Sequence, residues 1–201
     1  MSEINITVEG GTSVRLPTAG KYCDRDIVIT AEGGGDVGVG IDAMLTCTVT
    51  SIDSNATSLV EYACYRLTKL ASANLPNCTS IGNEAFYNCV KLESVELPNV
   101  TSIGGSAFRL CSVLPSIDLP LVTSIGSNAF RGCGKLQSLI LRSKTVCTLG
   151  TNVFTSTQIA DGTSYIYVPS SLLDSYKTAT NWSNFANQFR AIEDYPEITG
   201  G

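Results

Sequence analysis

The chain has 201 residues and a net charge of −5, with 43% hydrophobic and 15% charged residues, a composition typical of a folded domain. It contains no histidine, which removes the commonest general base and transition-metal ligand, so we expect no enzyme, no cofactor and no metal site. No cluster of basic residues is dense enough to indicate nucleic-acid binding, and no apolar run is long enough to insert into a membrane.

Residues 1–32 are predicted to form a small β-rich attachment module. Segments 5–8 and 26–30 are strand-like, with turns at 10–11 and 17–20. The stretch 16–30 resembles a short β-module of phage structural proteins of Firmicutes. Residues 33–40 are rich in glycine and are expected to form a linker. Because the first residues are acidic, they do not match an export signal.

Residues 41–169 carry an internal repeat with a step of 22 residues. The Leu-Pro, Ser-Ile-Gly, Ala-Phe and Cys positions all recur at this step, and a two-residue insertion precedes the last copy. The matching positions are Leu75, Leu97, Leu119 and Leu141; Ile81, Ile103 and Ile125; Phe86, Phe108, Phe130 and Phe154; and Cys89, Cys111 and Cys133. Such a period predicts a solenoid of stacked coils.

One unit is interpreted as a single coil. In 92–97 the apolar residues lie at positions 1, 4 and 6, as an inward-facing strand requires, and Pro98 ends that strand. Ile103 and Phe108 are expected to point back into the core, with Gly104 supplying a turn. The serines at Ser80, Ser102 and Ser124 are expected to form hydrogen bonds between coils. Residues 41–55 are expected to form an irregular first coil.

This pattern resembles the BspA-like leucine-rich repeat, also called the Treponema pallidum type. The resemblance covers about residues 56–157 and implies an α+β solenoid: a right-handed coil with short parallel strands and a binding or structural function. The segment 167–182 resembles the one that closes such arrays in gut-bacterial and prophage proteins.

Residues 170–201 are predicted to form a helical cap and tail. We expect 165–168 to be the last strand and Ser170 or Ser171 to cap a short helix. Trp182, Phe185, Ala186 and Phe189 recur with the spacing of one face of an amphipathic helix, which would cover the open end of the core.

The cysteines are interpreted as core residues. Cys89, Cys111 and Cys133 share one position in the repeat, and Cys64 replaces a core Phe. Side chains stacked in parallel do not point at one another, so we expect free, buried thiols rather than disulfides or a metal site. Cys23 has no predicted role.

Two exposed sets of side chains are candidate binding surfaces. The first, which we call the basic edge, is expected to run up the coil on one side, and it comprises Tyr65, Lys69, Tyr87, Lys91, Arg109, Arg131 and Lys135. The second, the strand-face patch, comprises Asn74, Glu93, Glu96, Asp118 and Gln137, with Ile140 continuing the outward column. The alternative is that both are ordinary solvated surface.

The sequence therefore predicts a non-enzymatic recognition or structural scaffold that binds protein or glycan on a cell surface. The phage-like N-terminus favours a (pro)phage virion component made in the cytosol. The alternatives are a secreted, extracellular adhesin that binds host proteins, whose signal peptide has been trimmed, and a passive spacer without a ligand. The oligomeric state stays open.

Overall fold

A computed structural model describes the backbone of residues 4–9, 26–32, 36–37 and 48–199, and the side chains of residues 49–198. The described part is built mainly from short strands. In chain order these are β1 (Ile4–Glu9), β2 (Asp26–Glu32), β3 (Asp36–Val37), β4 (Thr48–Ser54), β5 (Ser58–Leu59), β6 (Ser72–Asn74), β7 (Ser80–Ile81), β8 (Ser94–Glu96), β9 (Ser102–Ile103), β10 (Ser116–Leu119), β11 (Ser124–Ile125), β12 (Ser138–Leu141), β13 (Thr148–Leu149), β14 (Tyr165–Val168) and β15 (Phe189–Ala191).

Among the described residues all the paired strands are parallel, and they form three sheets. Two sheets, β1-β2-β4-β6-β8 and β10-β12-β14-β15, make up what we call the strand face. The third, β3-β5-β7-β9-β11-β13, consists of two-residue strands. Residues one repeat apart are paired, for example Ser80 with Ser102 and Ile81 with Ile103. The predicted solenoid with a repeat of 22 residues is confirmed.

The strand face is divided at Pro115. In neighbouring coils the residue at this position donates its N–H across to the preceding coil, as Glu93 does to Ala71 and Gln137 to Pro115, each at 2.8 Å. Proline has no N–H, so the corresponding bond to Glu93 cannot form. The ladder therefore lacks one bond between β8 and β10.

The N-terminal strands β1 and β2 extend the sheet that contains β4, β6 and β8. β1 pairs with β2, and β2 pairs with β4, with a register irregularity after Ile27. Within the first coil expected to be irregular at 41–55, residues 48–54 form β4, and Thr50 interrupts its register with β2. Within the predicted linker, β3 pairs with β5. The predicted turns at 10–11 and 17–20, and Cys23, lie outside the described residues. The boundaries at residues 32 and 40 stay predictions.

The core is a continuous column of apolar side chains. Phe86, Phe108, Phe130 and Phe154 are fully buried and stack with ring centroids 5.1, 5.5 and 6.1 Å apart in successive coils. Cys64 fills the same position one coil earlier and is also fully buried, as predicted. Burial of a Phe side chain contributes roughly 1.5–3 kcal/mol, so each coil is stabilised mainly by its neighbours.

The repeat glycines allow neighbouring coils to approach closely. A Cβ on Gly104 would lie 2.6 Å from the backbone N of Asn83 and from the carbonyl C of Gly82. Gly82 and Gly126 show the same crowding against the preceding coil. Gly104 begins the predicted turn, since its carbonyl accepts the Ala107 N–H at 3.4 Å, but the glycine is needed for its missing side chain rather than for a positive φ.

The repeat threonines, unlike the repeat serines, donate side-chain hydrogen bonds to the preceding coil. The hydroxyls of Thr79, Thr101 and Thr123 each donate to the carbonyl of the corresponding residue one coil earlier, at 3.0 Å. The same carbonyls also accept the backbone N–H of these threonines at 2.8 Å. Ser80, Ser102 and Ser124 contribute through backbone strand pairing instead.

The chain closes with a cap of short helices and one more strand. Two helices are α-helical, α1 (Leu173–Thr178) and α2 (Pro196–Thr199). Three 3₁₀ helices span Ser170–Leu172, Trp182–Gln188 and Ile192–Asp194. Within the described residues, no helix is both long and apolar enough to cross a membrane.

Three details of the predicted cap are wrong. Residues 182–189 do not form one amphipathic helix, because Phe185 is non-helical and Phe189 pairs with Ile166 in β15. The strand at 165–168 is consequently not the last. Neither Ser170 nor Ser171 provides a side-chain cap; the N–H of Ser170 instead donates to the Glu193 carboxylate at 2.9 Å.

The cap nevertheless closes the core as predicted. Trp182 is fully buried, with its ring centroid 6.0 Å from that of Phe154. Tyr176, also fully buried, contacts the ring of Trp182 edge to face at 5.3 Å. These aromatic rings replace the next coil that an open-ended solenoid would need.

Candidate recognition surfaces

The basic edge contains a stacked row of side chains. The rings of Tyr65 and Tyr87 are nearly parallel, with centroids 4.9 Å apart. The guanidinium of Arg109 follows in the next coil, with its Cζ 5.5 Å from the centroid of Tyr87, a cation–π contact. Backbone hydrogen bonds between coils hold this register, for example from Arg66 N to Tyr87 O at 2.7 Å.

Two further residues belong to this row and were missed from the sequence. Tyr62, 48% exposed, contacts Tyr65 edge to face at 5.6 Å, and the Arg66 guanidinium lies 6.0 Å from the Tyr65 ring. The carboxylates of Glu61 and Glu84 raise the pKa of Tyr62. Tyr62 and Arg66 lie 22 residues before Glu84 and Asn88, so the repeat could have placed them on this edge. They were missed because the repeat copy around them is degraded.

The charged residues of the basic edge are available for a partner. Lys69, Lys91, Arg131 and Lys135 are exposed, whereas Arg109 is half-buried. In the described part of the chain the ion pairs are Arg142 with Asp118 and Lys177 with Asp174, so no residue of the basic edge is neutralised there. The lysine column is interrupted by Val113.

Positive φ angles recur on the turns that carry this edge. Five successive coils each hold two such residues, four positions apart, on either side of the core Phe or, in the first of them, of Cys64. The first set comprises Tyr62, Glu84, Ser106, Asn128 and Asn152, and the second comprises Arg66, Asn88, Leu110, Gly132 and Ser156. Left-handed residues other than Gly and Asn are conformationally costly, so the turn shape is imposed by the stacked coils.

The strand-face patch is only partly exposed. Glu93, Glu96 and Gln137 are exposed, whereas Asn74 and Asp118 are half-buried. The Asn74 amide donates to the Asp53 carboxylate at 3.1 Å. Arg142 lies 2.8 Å from the Asp118 carboxylate and partly neutralises the negative charge of the patch at this end.

The C-terminal segment covers the far end of the strand face. Ile140, expected to be an outward residue of the column, is only 8% exposed, because Tyr167 and Ile192 pack against it together with Tyr195 and Ile198. Its expected exposure is therefore wrong. Arg142 also donates to the backbone carbonyl of Ile198 and so joins the tail to the Asp118 carboxylate.

The cysteine ladder has structural rather than reactive chemistry. Cys89, Cys111 and Cys133 are fully buried, and each Sγ donates to a backbone carbonyl of the preceding coil at 3.0–3.2 Å. The six cysteines of the described side chains are free, as predicted for them. Burial raises the pKa of the Cys89 and Cys133 thiols to about 12, which disfavours the thiolate that a nucleophile or metal ligand needs.

The described residues contain no cluster of metal-binding side chains. There, no group of three or more Cys, Asp or Glu side chains is placed to hold a metal ion. Buried hydroxyls are hydrogen-bonded within the protein, for example Thr157 to the Phe154 carbonyl at 2.7 Å and Ser143 to the Val122 carbonyl at 2.5 Å, whereas the buried Nε of Arg109 has no hydrogen-bond partner among the described residues. The candidate sites that the described residues offer are therefore exposed surfaces.

Comparisons with known proteins agree with this architecture. No curated protein sequence matches the chain significantly. A leucine-rich repeat protein from Bacteroides ovatus ATCC 8483 superposes with a TM-score of 0.52 at 22% identity, covering 90% of this chain and 42% of its own. This chain thus spans less than half of that protein, and the likeness shows the fold alone.

A leucine-rich repeat protein of T. pallidum also matches, with a TM-score of 0.48 and 26% identity over 75% of this chain and 66% of its own. The model of the BspA type leucine rich repeat region matches residues 43–187 in six copies. With most of the chain matched and its coils stacked as described, this protein belongs to the BspA-type leucine-rich-repeat family.

Proposed function

We propose that this chain is a non-enzymatic recognition module that binds a protein through the basic edge. The observation that carries the proposal is the row in which Tyr65 stacks on Tyr87 and Arg109 lies over the far side of that pair. Leucine-rich-repeat proteins generally act as binding scaffolds, and a solenoid repeats its exposed side chains in register along an extended partner.

Preorganisation supports this assignment. Flexible side chains normally lose conformational entropy on binding, roughly 0.5–1.5 kcal/mol for each one immobilised. Tyr65, Tyr87 and Arg109 already hold one another in place, so a partner meets an ordered surface. Tyr and Arg are also enriched among the residues that dominate binding energy at protein interfaces.

The charges indicate the chemistry of the partner. Arg131, Lys91 and Lys135 are exposed and unpaired within the described chain, so they are free to meet carboxylates. The tyrosine rings offer flat faces for apolar or aromatic groups. We therefore expect an extended acidic segment of a surface protein, with an acidic glycan as the second candidate.

The N-terminal resemblance supports a proposal about the biological setting. We propose that residues 1–32 attach the module to a (pro)phage virion, and that the repeat array faces a bacterial surface. The second candidate is a secreted adhesin that binds host proteins, and the third is a passive spacer. Tail or capsid genes beside this gene would favour the virion, whereas an export signal or sortase gene would favour the adhesin.

The test removes two charges from the basic edge and two from elsewhere. One edge variant combines Arg109→Ser with Arg131→Ser, and a second carries Tyr87→Ser alone. The control combines Lys144→Ser with Lys177→Ser, which removes the same two positive charges at positions outside the basic edge. Each labelled protein would be applied to arrays of acidic peptides and glycans. We expect the edge variants to lose at least tenfold in affinity while the control binds normally. Equal binding by all variants, or no reproducible binding by the native protein, would refute the proposal.

A further inference from the structure

We propose that a cleft between the last coil and the cap binds a single neutral sugar residue. The cleft has a volume of about 280 Å³ and lies between the turn at 149–155 and the 3₁₀ helix Trp182–Gln188. Thr151, Asn152 and Thr155 line one side, and Asn181, Asn184 and Phe185 line the other. This site is separate from the basic edge and does not depend on it.

The lining is polar but carries no charge. Three of the residues are asparagines and two are threonines, and no Asp, Glu, Lys or Arg contributes to the wall. An uncharged wall gives a metal ion or a phosphate no counter-charge. Amides and hydroxyls both donate and accept hydrogen bonds, which matches the hydroxyl groups of a sugar.

Hydrogen-bonding capacity remains unused at the cleft. Asn152 and Thr155 are exposed, and within the described residues their side chains have no hydrogen-bond partner in the protein. The Asn184 amide nitrogen donates to the Asn181 carbonyl at 3.3 Å, which leaves its oxygen as an acceptor. A ligand can therefore bind without breaking hydrogen bonds within the described part of the protein.

The far wall is rigid and partly apolar. The Asn181 amide is fixed by a hydrogen bond to the Leu149 carbonyl at 2.6 Å. The half-buried Phe185 ring packs edge to face on Phe154 at 5.2 Å. An aromatic wall beside preorganised amides suits a sugar ring, which has apolar C–H faces and a polar rim.

The size of the cleft limits the ligand. Pockets for drug-sized molecules typically have volumes of about 300–1,000 Å³, and this cleft is slightly smaller. It therefore has room for one ring and not for a folded peptide. The proposed ligand is a terminal or single sugar residue without a charged group.

The test uses methyl glycosides of glucose, galactose, mannose and N-acetylglucosamine with the full chain. Binding would be followed by the NMR signals of the asparagine side-chain amides. We expect at least one glycoside to produce saturable shifts at Asn152 and Asn184, with a millimolar Kd, as is usual for so small a ligand.

Matched variants locate the binding. Asn152→Gly keeps the positive φ, and Asn128→Gly makes the same change one coil away, outside the cleft. We expect Asn152→Gly and Asn184→Ala to weaken binding at least tenfold, whereas Asn128→Gly binds normally. The proposal is overturned if no glycoside binds, if both glycine variants bind equally well, or if a short neutral peptide shifts these signals and the sugars do not.

Discussion

The indole Nε1 of Trp182 donates a hydrogen bond of 2.6 Å to the backbone carbonyl of Cys147. Tyr176 bonds the same residue from the other side, since its hydroxyl accepts the Cys147 N–H at 3.0 Å. Side chains of the cap thereby form hydrogen bonds with both the backbone N–H and the carbonyl of Cys147. The cap thus provides the hydrogen bonds and the apolar contacts that a further coil would otherwise supply.

Removing Trp182 should open the end of the solenoid. We expect Trp182→Ala to lower the free energy of unfolding by about 3–5 kcal/mol, because it leaves a large cavity beside Phe154. Trp182→Phe should cost less, about 1–3 kcal/mol, mainly from the lost bond to a buried carbonyl. Urea denaturation measures both. Equal losses in the two variants would mean that the cavity adds nothing to the loss of the hydrogen bond, and an unchanged Trp182→Phe protein would mean that the bond does not contribute.

Gly104 should tolerate no side chain. Since an added Cβ would collide with the backbone of the preceding coil, Gly104→Ala should destabilise the protein by about 1–3 kcal/mol. Gly134→Ala is the matched control, because nothing lies within 4 Å of its added Cβ. Thermal unfolding of the two variants should differ clearly. A Gly104→Ala protein as stable as the control would show that the coils can separate at little cost.

Relieving a strained turn should stabilise the protein. Ser106 has a φ of 56°, at a position where the next two coils carry Asn128 and Asn152. Ser106→Asn and Ser106→Gly are expected to raise the free energy of unfolding by up to about 1 kcal/mol, since both residues accept this conformation more readily. Ser106→Ala keeps the strain and should bring no gain. Chemical denaturation distinguishes these outcomes.

The buried thiols should make stability fall at high pH. The pKa of Cys89, Cys133 and Cys147 is raised to about 12 in the folded state, whereas unfolded thiols ionise near pH 8.5. Above that pH the unfolded chain binds fewer protons than the folded one, so the free energy of unfolding decreases as pH rises toward 12.

Tyr176, with its pKa also raised to about 12, adds to this decrease. We expect constant thiol-linked stability below about pH 8 and a progressive loss above it. Cys133→Ala, though less stable at neutral pH, should show a shallower decrease. The prediction fails if the slopes of the two proteins are the same. Thiol titration without reductant should find the described cysteines unreactive when folded and free when unfolded.

Arg142 should hold the C-terminal tail on the strand face. Arg142→Met keeps the length of the side chain but removes the bonds to Asp118 and to the Ile198 carbonyl. We expect faster amide hydrogen exchange at Ile198, with little change in global stability because the ion pair is partly exposed. Lys177→Met removes the other ion pair as a control and should leave the tail unchanged.

Sequence periodicity predicted the local repeat well but the cap less well. The step from Phe86 to Phe108 fixes which residues stack, because each coil repeats the same backbone path. The cap has no such repeat, so the spacing from Trp182 to Phe189 resembled a helix. In the structure Phe189 lies in a strand, since pairing with β14 satisfies its backbone and buries its ring.

The candidate surfaces were predicted in composition but not in arrangement. The sequence places Tyr65, Tyr87 and Arg109 at one repeat position, and their stacking follows from the close spacing of the coils. It gives no sign that the tail covers Ile140, because that contact joins residues more than 50 positions apart. Nor does it reveal the cleft, which two unrelated segments form together.

By itself, the sequence determined the coil, its 22-residue step and its apolar interior, because identical residues at a fixed interval can bury their side chains only by stacking. The tertiary structure alone decided how that stack ends: which groups of Cys147 bond to the cap, which part of the strand face the tail occupies, and where polar side chains converge. These outcomes depend on contacts between segments that share no repeat, and no local pattern encodes them.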